Sequence, residues 1–283
     1  MRYLFMTQNE NLNNIIYTLC NEIELDFSKI TEIEIISSNA INDWLGKTEP
    51  IAQDNILYLK LLFVQSVVDD LNSEDSSRIL LSKNIILHEL FHCKEILTTS
   101  SFYKDIRKLY FHPPITTTKM LLIDTAFHQW SEYYAYYNSA KSYKKDIDIS
   151  NALRIANVDI EVLQKDLTGY NIQEIKIIPE FIEDSIDFIH HSIQLIAFYN
   201  STHDIKYKNQ IEKYMRNESY QYYYPYLKDL TSYMNDLYKT YPNWISEQNF
   251  IELGNKLMSF IKIFNLWFPV DCLSKNFVLK MLH

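Results

Sequence analysis

The pattern of hydrophobic and polar positions changes character along the chain. Residues 9 to 24 read as a short helix. In "TEIEIISS" (31–38), Ile33 and Ile35 alternate with Glu32 and Glu34, the period of a strand with one buried face. "DWLGKTEP" then supplies turn residues, and "NILYLKLLFV" (55–64) reads as a second, more apolar strand. Together with "RYLFM" near the start, these segments predict a small sheet.

From Ser73 onward the period is helical. Ser73, Asp75 and Ser76 offer helix caps, and Ile79, Leu80, Ile86, Leu87, Leu90 and Phe91 keep helical spacing to about Leu97. Pro113 and Pro114 break the chain before a second helix, over about 119 to 141, containing "DTAFHQWSEYYAYYNSA". Beyond "KSYKKDIDIS" the chain reads as several helices, with breaks near Pro179, Pro225, Pro242 and Pro269. The expected fold class is α+β and mostly helical, with a domain boundary near residue 145 separating 1–145 from a helical 146–283. No internal repeat appears, and the tyrosine cluster "YQYYYPY" (220–226) comes nearest to low complexity.

Composition narrows the function. Of 283 residues 47% are hydrophobic and 22% charged, enough apolar material for a substantial core. Only 3 glycines occur, which leaves little for Rossmann or P-loop units. The net charge of −9 argues against nucleic-acid partners, and the basic stretch from Lys141 to Lys145 is too short to reverse it. The start of the chain has no apolar leader segment, and no run of about 18 apolar residues follows, so a soluble, cytoplasmic protein without a membrane partner is expected. Cys20, Cys93 and Cys272 are too few and too scattered for a disulfide framework and suit reduced thiols. Cys93 points about 100° away from its neighbour His92 on a helix, so it reads as a buried thiol.

The chemistry concentrates in "NIILHELFHCKE" (84–95). On a helix, residues four apart share a face, so His88 and His92 can present both imidazoles to one ion. Glu89, about 100° round the helix, is poorly placed as a ligand but can reach a water on that ion and take its proton. Shuffling 8 histidines and 18 glutamates through this length yields the pattern in fewer than roughly two sequences in a hundred, so the match outweighs chance. A catalytic zinc needs a third protein ligand. The downstream helix offers Glu132 and His128, four apart and on one face, with the small Ala135 following Glu132. Glu132 completes a His₂Glu set. Asp124 and His128 also fit a supporting role beside the ligands, or a plain polar helix stripe.

The pair "HELFH" and "SEYYA" resembles the HExxH…ExxA signature of the gluzincin class of zinc metallopeptidases, nearest to the ImmA/IrrE-type family. The likeness covers roughly residues 30 to 140. It implies a zincin-like N-terminal part with two active-site helices, Zn²⁺ held by His88, His92 and Glu132, and Glu89 as general base. It also implies a protein or peptide substrate, such as a regulatory protein of a mobile element or a stress or defence circuit. In related peptidases an edge strand just before the motif helix pairs with extended substrate, which would be the 55–64 strand here. Tyr136 stands where many gluzincins carry an acidic residue, four after the ligand glutamate. His190, His191, His203 and the tyrosines 133, 134, 136 and 137 could supply a donor to a tetrahedral oxyanion, although their ordinary reading is packing or solvation. Two rival readings of the same residues are a catalytically degenerate gluzincin acting as a helical interaction module, and a toxin or effector whose metal site attacks something other than peptide.

Overall fold

The computed structural model describes residues 9–37, 45–53, 56–100, 118–142, 178–216 and 224–262. Among these are eight α-helices and one three-stranded sheet, so the class is α+β and mostly helical. The chain divides into two compact units, Met1–Ser100 and Ser101–His283. The boundary expected near residue 145 falls in 143–177, outside the described residues, as do the "RYLFM" segment, Pro113, Pro114, Pro269 and Cys272.

In the first unit, α1 (Glu10–Glu22) precedes strands β1 (Ile30–Ile36), β2 (Gly46–Gln53) and β3 (Ile56–Val64), which are followed by α2 (Gln65–Leu71) and α3 (Ser76–Thr98). The sheet order is β1-β3-β2, with β1 parallel and β2 antiparallel to β3. Alternation along β3 buries Leu57, Leu59, Leu61 and Phe63 on one face. Each contributes about 1.5–3 kcal/mol through burial. On the other face Lys60 of β3 lies between two carboxylates of β1, 3.0 Å from Glu32 and 2.5 Å from Glu34. Of the two isoleucines expected to face the core from β1, Ile33 is buried and Ile35 partly so.

Two expectations change here. The stretch "DWLGKTEP", read as turn, runs into β2 from Gly46. Pro50 is tolerated because β2 is an edge strand of this sheet, where a residue without an N–H need not break a central ladder. The 55–64 strand, expected at the edge, is the central one. With β1 paired along Leu59–Val64 on one side and β2 along Ile56–Phe63 on the other, the strand has a neighbour on both sides and is not an edge for a further strand. The edge next to the motif helix belongs to β2.

Helix α3 begins where its caps predict. Asp75 is the N-cap, its carboxylate accepting from the Ser77 amide at 2.8 Å and the Ser77 hydroxyl at 2.6 Å. These hydrogen bonds hold the Asp75 carboxyl below its usual range. The helix packs on β2 and β3 and against α1 and α2, and Ile86, Leu87, Leu90, Phe91 and Cys93 are buried along it. Lys94 reaches the last turn of α1, donating to the carbonyl of Ile23 at 2.6 Å, where a cation meets the negative end of that helix.

The second unit is helical as described: α4 (Thr118–Ser142), α5 (Ile178–Ser201), α6 (Ile205–Met215), α7 (Tyr224–Thr240) and α8 (Glu247–Lys262). Pro179 and Pro225 each stand at the second described residue of a helix, a position where the missing N–H is harmless, while Pro242 lies in the turn between α7 and α8. Helix α4 packs against α5 and α8 around Trp130, which is fully buried, with Trp244 edge-on at 4.7 Å and Tyr241 at 5.5 Å. Gly254 sets the approach of α8 to α4, since a Cβ there would lie 2.3 Å from the carbonyl oxygen of Leu122. That oxygen is backbone and cannot swing aside. Gly254→Ala is therefore expected to lower stability by about 1–3 kcal/mol as the helices are forced apart, measured as a drop in urea midpoint at unchanged slope.

Candidate metal centre

The motif lies in the encased part of α3, as its spacing predicts. His88 and His92 are one turn apart, their rings edge to face with centroids 4.6 Å apart and their Nε2 atoms facing at 3.0 Å. Two nitrogens each about 2.0–2.1 Å from one ion are at most about 4.2 Å apart, so this pair is already within the span of a shared metal. A carboxylate oxygen of Glu132 joins them: one donor atom from each of the three residues lies within 4.8 Å of the others. Among the described residues this is the one group of His, Cys, Asp and Glu with the arrangement to hold a metal ion. Two imidazoles and one carboxylate form a borderline-to-hard donor set that suits zinc and its divalent neighbours.

No family model matches the chain, and no curated protein or solved structure matches it. The site therefore rests on its own geometry.

His128, the rival third ligand, takes no part in the group. It is exposed, and its Nε2 lies 3.7 Å from the Asp124 carboxylate one turn earlier on α4. Helical side chains lean toward the N-terminus, which carries this imidazole back to Asp124. Burial pushes the Asp124 carboxyl upward, against the opposing pull of His128.

Glu89 is buried at 5% exposure, and its partner comes from β2. The Thr48 hydroxyl lies 2.9 Å from Oε2 of Glu89 and 3.0 Å from the backbone oxygen of the same residue. A Cβ at Gly46, two residues earlier on the strand, would meet Cγ of Glu89 at 2.8 Å and Oε1 at 3.1 Å. Sequence reasoning missed both residues, because a glycine and a proline in "GKTEP" read as turn. The signal that was available is the alternation of Gly46 and Thr48 with the charged Lys47 and Glu49.

The other residues named from the sequence make the following contacts. The Tyr133 hydroxyl accepts from the Asn200 amide at 2.9 Å, and Tyr134 and Tyr137 pack against Tyr238 with centroids 6.2 Å and 3.9 Å away. Tyr136 lies edge-on to His190 at 6.2 Å and to Phe198 at 5.8 Å, while His190 and His191 have centroids 5.4 Å apart. His203 is exposed in the turn before α6. Cys20 and Cys93 are buried free thiols; burial pushes the first up to about 12 and the second well above its usual value, so both stay protonated. No helix of the described residues is long and apolar enough to cross a membrane.

Proposed function

We propose that this chain is a zinc metallopeptidase of the gluzincin kind, hydrolysing a peptide bond in a protein substrate. One observation carries the reading. Three donor atoms of the His₂Glu set converge, and the residue after the first ligand is a buried glutamate on the same helix. The motif helix packed on a small mixed sheet supports the zincin-like comparison made from the residues.

In this reading His88 and His92 hold zinc from α3 and Glu132 holds it from α4. When bound, the ion supplies Lewis acidity, polarising a carbonyl and bringing the pKa of water down to about 7. Glu89 takes a proton from the attacking water on a carboxylate oxygen. As the C–O bond forms and the C–N bond breaks, the same group hands that proton to the departing amine nitrogen. Burial of Glu89 keeps bulk water from competing for the exchange.

Protein purified without chelator or immobilised metal is expected to carry about one zinc per chain, because ligands on formed helices bind with little ordering cost. Elemental analysis by mass spectrometry measures it. A folded protein that is empty and takes up no added zinc overturns the proposal.

A further inference from the structure

We infer that Thr48 is a positioning residue for the Glu89 carboxylate and that Gly46 keeps open the space the carboxylate occupies. This rests on the reading of Glu89 as the general base, and it concerns strand β2, which that reading did not use. Gly46 and Thr48 are two apart in a strand, so they address the same side, and both meet Glu89.

A carboxylate turns broadly about its last torsion, and two equivalent oxygens give it no preferred plane of its own. The Thr48 hydroxyl removes that freedom. It has one hydrogen and two acceptors at nearly equal distance, the Oε2 atom and the backbone oxygen of Glu89. A carboxylate oxygen is a stronger acceptor than a backbone carbonyl, so the hydrogen goes to Oε2. Sγ of Cys93 approaches the same hydroxyl at 3.9 Å. With Oε2 pinned, Oε1 is the oxygen left to receive a proton, and it lies on the side where Gly46 has no side chain. Any larger residue at 46 would press on Cγ of Glu89 and turn the carboxylate out of this plane.

A purely architectural role for Thr48, fastening β2 to the backbone of α3, predicts a different outcome. The test uses the zinc-loaded full chain, with casein and a pool of internally quenched peptides as probes. Thr48→Val is expected to lower kcat about ten- to hundredfold while KM and zinc content stay within about twofold. Thr48→Ser restores kcat to within about threefold, because the hydroxyl returns. Crystal structures of zinc-loaded Thr48→Val and Gly46→Ala are expected to show the Glu89 carboxylate rotated, and that of Thr48→Ser to show it in place. Parental kcat in Thr48→Val, failure of Thr48→Ser to restore the rate, or an undisplaced carboxylate overturns the inference. Should Thr48→Val not fold, Gly46→Ala carries the same kcat and crystallographic tests. If the parent itself cleaves none of the probes, the peptidase reading fails separately, and the carboxylate position in the variants still decides the positioning claim.

Discussion

Glu89→Gln is expected to lower peptide hydrolysis by about 10²- to 10⁴-fold while zinc content and thermal midpoint remain close to those of the parent. The amide matches the carboxylate in shape but cannot accept a proton from water. It can still accept the Thr48 hydrogen bond through its oxygen, so the anchor to β2 survives and the helix keeps its place. Initial rates on casein, read beside elemental analysis and a melting curve, separate the outcomes. Activity within several-fold of the parent shows that Glu89 is not the base. Loss of zinc along with activity makes it a ligand instead.

The second large effect separates Glu132 from His128. Glu132→Ala is expected to release zinc, since it removes one of three protein donors whose atoms converge. His128→Ala is expected to leave affinity within about tenfold of the parent, because that imidazole is exposed and turned to Asp124. Competition with a chromogenic chelator measures both, and circular dichroism checks that each variant is folded. An empty site in His128→Ala together with a filled one in Glu132→Ala makes the centre a three-histidine one and ends the gluzincin comparison.

Much of this was legible because local signals agreed with tertiary demands. Asp75 stands ahead of an apolar repeat of helical period, and α3 starts there. Ile33 alternates with glutamates that find Lys60 on the neighbouring strand, and β1 forms there. The rest was hidden for distinct reasons. Gly46 and Pro50 carry turn propensity, yet an edge strand tolerates a proline, and a glycine is required where α3 presses close. The order β1-β3-β2 was hidden because its edge strand β2 is a polar stretch that did not read as a strand, so the apolar 55–64 segment had one recognised neighbour instead of two. Periodicity placed Glu132 and His128 on one face without ranking them, and the side-chain direction that turns His128 to Asp124 is not written in their spacing.

The alternation along β2 also bears on how this chain can drift in sequence. Lys47 and Glu49 pair with each other at 2.8 Å on the solvent side, each well exposed, so exchanging either letter costs little stability. Gly46 and Thr48, between and beside them, face the glutamate of the motif. Selection would then read this strand at alternate letters, holding glycine at 46 and a hydroxyl at 48 while 47 and 49 wander. Descendants that keep the chemistry would share with this chain a spaced pair of small residues, inconspicuous in any one sequence and plain only when many are laid side by side.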